Sequence, residues 1–119
     1  MAQANWNIDV VSPPRTSGDA LIADIRGEID LHNSPDLRAA LIGMLTSPLP
    51  KRLILNLSQV PYMDSSAVAV LVEALQKLRP SGGRVMLVAL QPRVKGLLEI
   101  ARLDSIFVLA DDEQHALKI

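Results

Sequence analysis

Few residues in this 119-residue chain have the types and spacing to do chemistry. Ser65 and Ser66 place two hydroxyls directly after the carboxylate of Asp64, and Asp30 closes the run Gly27-Glu28-Ile29-Asp30. His32 and His115 are the two histidines, and there is no cysteine, which excludes disulfides and thiolate metal sites. A hydrolase using Ser65 with either histidine as base would call for a nucleophile elbow, and no such pattern surrounds Ser65. Gly82-Gly83 is not a phosphate loop, because no Lys-Ser or Lys-Thr follows and the chain runs on into a strand. Asp111-Asp112-Glu113 lacks the spacing of a calcium loop and reads as a helix cap. The expectation is a non-enzyme with no cofactor and no catalytic or metal-ligating residue.

What remains is Asp64-Ser65-Ser66 at the start of a helix. Asp and Ser are favoured there for capping alone. The helix that follows adds a second reading. Val68, Leu71, Val72, Leu75 and Leu78 form its apolar stripe, which centres between Val68 and Val72. Val70 then lies more than about 100° from that centre, on an outer flank with Ala67 and Ala74. Small apolar side chains beside exposed serines make a docking surface. The expected partner-binding set is Asp30, Asp64, Ser66, Ala67, Val70 and Ala74, with Asp30 on the same rim of the sheet as Ser65.

The elements that must position this set follow from periodicity. Trp6, Ile8 and Val10 alternate with polar residues as a first strand. Residues 12–19 hold Pro13, Pro14 and Gly18-Asp19 and read as a long loop of a wide hairpin. A second strand covers residues 21–26, with Leu21, Ala23 and Ile25 on one face and Ile22, Asp24 and Arg26 on the other. Ser34 caps and Pro35 opens a helix carrying Leu37, Ala40, Leu41 and Met44. Leu53-Ile54-Leu55-Asn56-Leu57 suits a central strand. The Ser65 helix, a strand over residues 84–90, a helix from Pro92, a strand over 106–109 and a short last helix complete the order. Repeated strand–helix–strand units predict an α/β fold. Its sheet is a mostly parallel mixed sheet of about five strands, with an antiparallel amino-terminal edge strand and helices mainly on one face. The other face is expected to be poorly covered, which leaves room for a homodimer. Residues 1–119 read as a single domain.

Composition narrows the class. Hydrophobic residues make up 49% and charged residues 21%, as in a globular domain with one real core. A formal net charge of −1 with scattered Lys and Arg excludes a nucleic-acid footprint and a polybasic membrane patch. No apolar run would span a bilayer and the first residues do not form a signal peptide, so a cytoplasmic location is expected.

Gly27-Glu28-Ile29-Asp30, Leu53-Ile54-Leu55-Asn56-Leu57, Met63-Asp64-Ser65-Ser66 and Pro92-Arg93-Val94 occur in the order found in STAS domains. From Trp6 to Leu117 the chain resembles the stand-alone anti-sigma factor antagonists of bacteria. The resemblance implies a partner-switching cycle. An unphosphorylated antagonist binds an anti-sigma factor that is also a serine kinase. The kinase phosphorylates the serine after the aspartate, here Ser65, and a PPM-type serine phosphatase resets the switch. The kinase uses ATP and magnesium. Members of this class commonly carry glycines after the serine pair, where this chain has Ala67, Val68 and Ala69. The alternative is a STAS-type adaptor that binds a small molecule, a transporter subunit or a signalling scaffold, with Ser65 a mere cap.

Overall fold

A computed structural model describes residues 10–119. The strand expected at residues 6–10 falls mostly outside that range. Five strands lie side by side in chain order: β1 (Arg15–Ser17), β2 (Ala20–Arg26), β3 (Arg52–Gln59), β4 (Arg84–Val88) and β5 (Val108–Ala110). β1 runs antiparallel to β2, and every other pairing is parallel. Helices α1 (Ser34–Met44), α2 (Ser65–Leu78) and α3 (Pro92–Ile100) form the successive crossovers, and α4 (Glu113–Lys118) ends the chain.

Residues 12–19 are not the wide loop the prolines predict. Only Pro13 and Pro14 interrupt pairing, which they must because they lack a backbone donor. Val11 still bridges Ile25, and Arg15 to Ser17 pair with Ile22 to Ala20 around a tight Gly18-Asp19 turn. Gly18 takes φ +58°, which this turn needs.

The register aligns the side chains into two faces. Ala23, Leu55, Leu87 and Leu109 are mutual partners, and they face the layer built by α1, α2 and α3. Ile22, Ile54, Met86 and Val108 alternate with them and point to the opposite side. That second face is not open, as the polar alternation of β2 predicts. Ala20, Ile22, Ile54, Met86 and Val88 are buried there, and Ala116 of α4 packs among them. The reason is a set of long-range polar ties that a strand-by-strand reading does not contain. Arg52 donates to the carbonyls of Ala116 and Leu117, at the carboxyl end of α4. Arg15 on β1 reaches Glu113 at the other end of α4 and also Asp24 on β2. Asn56 donates to the same Glu113 carboxylate. Arg15, with Asn56 behind it, holds that carboxyl below its ordinary pKa. The six residues of α4 thus cover a face that was expected to be poorly covered.

α2 is rotated from its expected orientation. Its buried residues are Ala67, Val68, Val70, Leu71, Ala74, Leu75 and Leu78. The buried arc centres near Leu71 and Leu78, and Val72 falls to its edge as a half-buried residue. Val70 is only 6% exposed and Ala67 and Ala74 are fully buried, so the outer flank assigned to them does not exist. α1 is the cause, because it packs beside α2 and widens the apolar arc beyond the part that faces the sheet. Arg38 of α1 grips Glu73 of α2 through two hydrogen bonds of 2.8 and 2.6 Å. Val70 precedes Glu73 by three residues and so sits on the α1-facing side.

This orientation predicts the response to charge along α2. Val70→Glu would bury a carboxylate without a partner and should cost at least about 2 kcal/mol. Ala69→Glu, one residue earlier at an exposed position, should stay within about ±0.5 kcal/mol of the parent. Urea denaturation of both variants checks this, and equal midpoints would contradict the burial of Val70.

Candidate functional site

The site is built where β2 and β3 end. Arg26 pairs with Gln59 after a register shift in β2, and Gly27 then turns the chain with φ +83°, which a side chain would strain. Two residues later the two loops meet again, because Ile29 and Met63 form a parallel bridge. The Ile29 N–H donates to the Tyr62 carbonyl at 3.1 Å, and the Asp64 N–H donates to the Ile29 carbonyl at 3.0 Å. Both bridging side chains are buried, with exposures of 0% and 1%. Apolar residues at both positions therefore weld the β2–α1 loop to the β3–α2 loop. Asp30 and Asp64, the next residue in each, come out side by side on the carboxyl rim of the sheet. The sequence expectation that Asp30 shares the rim with Ser65 agrees with this register.

The Asp30 loop has its own scaffold. Asn33 accepts from the Asp30 N–H and donates to the Glu28 carbonyl, both at 2.8 Å. The Asp30 carboxylate accepts from the His32 N–H, and the Asp30 carbonyl receives the N–H of Ser34. Ser34 is therefore not the cap of α1. It is a buried first residue of the helix, and the cap position falls to Asn33, whose side chain is spent on the loop. This tight turn leaves Leu31 outside, 75% exposed on the same rim.

Asp64 caps α2 as the residue types predict. One oxygen of its carboxylate accepts from the Ser66 N–H at 2.9 Å, the Ala67 N–H at 3.3 Å and the Ser66 hydroxyl at 2.5 Å. This treats the two serines differently. The Ser66 hydroxyl is committed as a donor to Asp64. Ser65 is exposed, and its hydroxyl makes no hydrogen bond to another described residue. At the positive end of a helix of 14 residues, an oxygen there is placed to take on negative charge.

Of the residues expected to meet a partner, the structure brings Asp30, Asp64 and Ser66 together beside Ser65 and removes Ala67, Val70 and Ala74 into the core. The outward residue one turn after Ser65 is Ala69, which sequence reasoning passed over. Its signal was available in the polar residues. Glu73, Gln76 and Lys77 mark the solvent side of α2, and stepping back along the helix from Gln76 leads to Ala69 and Ser65. Leu31 carried no periodic signal. On the far side of the site, Gln91 donates to the Ser58 carbonyl, and the Arg93 guanidinium lies 4.8 Å from the centre of the Tyr62 ring. Among the described residues no helix is long and apolar enough to cross a membrane, and no cluster of metal-ligating side chains forms.

The Ser66 hydroxyl, followed by the backbone donors of Ala67 and Ser66, outweighs partial desolvation and holds the Asp64 carboxyl below its ordinary pKa. A carboxyl lowered on folding adds stability at all pH values above its unfolded pKa of about 3.9 and loses that contribution as pH falls through the folded value. Ser66→Ala should therefore be less stable than the parent at pH 7, and the gap should narrow below about pH 4. Denaturant midpoints for both proteins at pH 7 and pH 3 measure this. A gap that persists unchanged in acid would mean the hydroxyl does not act through the Asp64 charge.

Comparisons with known proteins agree with this architecture. The family model for the STAS domain matches residues 10–116. The anti-sigma-B factor antagonist of Bacillus subtilis is 30% identical over 102 residues, spanning 86% of this chain and 88% of that protein. The crystal structure of an anti-sigma factor antagonist from Mycobacterium paratuberculosis superposes with a TM-score of 0.80 at 24% identity, covering 92% of this chain and 93% of the other. The Bacillus cell fate determinant SpoIIAA, in its phosphorylated form, superposes with a TM-score of 0.68 at 20% identity, over 89% of this chain and 96% of that one.

Proposed function

The chain belongs to the STAS domain family, and from that membership we propose that it is a bacterial anti-sigma factor antagonist switched by phosphorylation of Ser65. In its unphosphorylated form it binds an anti-sigma factor with serine kinase activity in the cytoplasm, and so frees a sigma factor. A PPM-type serine phosphatase restores the binding form. The observation that carries the reading is the inequality of the two serines: the Ser66 hydroxyl is engaged by Asp64, and Ser65 stands exposed on the first turn of α2. The name of the B. subtilis relative supports the antagonist role, and the phosphorylated SpoIIAA is a precedent for the modification on this fold.

The docking face in this reading comprises Ser65, Ala69 and Leu31, with Asp30, Asp64 and Ser66 at its margin. It differs from the face that the sequence suggests, since the methyl group of Ala67 fills the core and that of Ala69 faces outward. A phosphoryl group on Ser65 adds roughly −1.5 to −2 charges at neutral pH. That charge suits the helix terminus, so the fold persists. It does not suit an apolar contact, because a buried charge without a partner costs several kcal/mol and each 1.4 kcal/mol weakens binding about tenfold.

Two expected outcomes test the proposal with the cognate anti-sigma kinase it calls for. Incubation with that kinase and ATP should place phosphate on Ser65, and phosphopeptide mapping that finds it mainly on Ser66 would reverse the assignment. By calorimetry, Ser65→Asp and Ala69→Glu should each weaken kinase binding at least about tenfold, with circular dichroism unchanged. Full retention of affinity in both would remove the docking face.

A further inference from the structure

We propose that Arg93, which rests on the ring of Tyr62, is the cation that receives the phosphoryl group of phosphorylated Ser65 in an intramolecular ion pair. The inference rests on the reading of Ser65 as phosphoacceptor. Its grounds are topological and electrostatic. β3 and β4 are neighbours in the sheet, and α2 and α3 start from their carboxyl ends on the same face. Ser65 is the first residue of α2 and Arg93 the second of α3. Tyr62 lies between them, three residues before Ser65, and its ring carries the guanidinium at 4.8 Å. Three peptide units span at most about 11 Å between Cα atoms, so ring and serine stay close.

Arg26, at the end of β2, alternates with the buried Ile25 and so leaves the strand on the opposite face, and the charges nearer the site are committed or turned away. Asp64 accepts from Ser66 and Ala67, and Asp30 from the His32 backbone, with the His32 ring 3.8 Å away. Arg38 is held by both oxygens of Glu73. Lys95 lines a cavity of about 310 Å³ between β4 and β5, together with Asp111. Arg93 takes part in no salt bridge among the described residues. It is exposed, and among the described residues the aromatic face of Tyr62 is what holds it.

A phosphate dianion on Ser65 would meet repulsion from Asp64 and would be drawn to the uncommitted guanidinium. Arginine matches phosphate with parallel N–H donors, and that pair is stronger than an exposed cation–π contact. The exchange therefore runs from ring to phosphate. Phosphorylation then changes the rim twice, because it adds a dianion and withdraws the cation that the free protein displays.

The test needs no kinase. The full chain is produced with phosphoserine encoded at position 65, and the phosphate is titrated by phosphorus NMR. Arg93→Gln should raise the second pKa of the phosphate by about half a unit, a threefold change in its protonation equilibrium. Lys95→Gln, which removes the same charge from the same helix, should move it by less than half as much. Arg93→Lys should fall between the parent and Arg93→Gln. Circular dichroism of each variant confirms that the exposed substitutions leave the fold intact. An unchanged pKa in Arg93→Gln overturns the ion pair, and so does an equal shift in Lys95→Gln, which would report only net charge. The outcome stands apart from the partner-switching reading. That reading fails if the phosphoserine protein binds its kinase as tightly as the unmodified chain, whatever Arg93 does.

Discussion

The rim depends on the bridge between Ile29 and Met63. It lies beyond the regular ends of β2 and β3, where each chain has already left the sheet. Without it the two loops would be separate surface segments, each free to place its aspartate independently. The bridge buries two large side chains and satisfies backbone groups that would otherwise face an apolar layer. Because the pairing is parallel, the residue after each partner emerges in the same direction. Asp30 and Asp64 are adjacent for that reason, and Ser65 inherits its position from Asp64. A serine on a welded rim differs from one on a loose loop, since any partner docking there would meet a preformed surface and lose little ordering entropy on contact.

The sheet sets a second constraint. A mostly parallel sheet exposes two apolar faces, and both have to be covered. Three crossover helices cover one face in the ordinary way. Among the described residues the other is left to a single short helix, too short to hold a position by its own propensity. Arginine side chains supply what its length does not. Arg52 gathers the last carbonyls of α4, and Arg15 takes hold of its first turn while also binding β2. Exposed ion pairs add little stability individually. Here their effect is geometric: they fix the helix over Ile54 and Met86, whose burial stabilises the face.

These constraints divide the molecule's work. The bridge and the α1–α2 contact fix the backbone of the rim, so a change of charge at Ser65 has little freedom to reshape the fold. Its effect falls on whatever meets the rim. Arg93 is the exception, because a side chain resting on an exposed ring can leave it at little cost. Under the proposed modification, a rim fixed by the bridge would carry the phosphate and Arg93 would answer it.

The sequence by itself determined the parallel order of strands, the cap at Asp64 and the placing of Asp30 on the rim of Ser65. Each rests on a local signal. Near-continuous apolar runs mark β3 and β4, a carboxylate before two serines marks a helix entry, and the turn at Gly27 leaving β2 leads to Asp30. Tertiary structure decided which way α2 faces and what covers the second side of the sheet. The rotation of α2 is the clearest case. A helix read alone has one apolar arc, and Val68 and Val72 draw its centre to one side. A helix packed between a sheet and a neighbouring helix has two adjoining contacts. Ala67, Val70 and Ala74 belong to the second of these, where α1 approaches closely and small side chains fit. Residues far away in the chain supply that contact, Arg38 lying 35 positions before Glu73, and no periodicity within α2 records where they come to rest. The difference between Ser65 and Ser66 is local instead: the two residues are chemically identical, and the geometry of the helix entry, which residue types alone do not record, turns one hydroxyl back to Asp64.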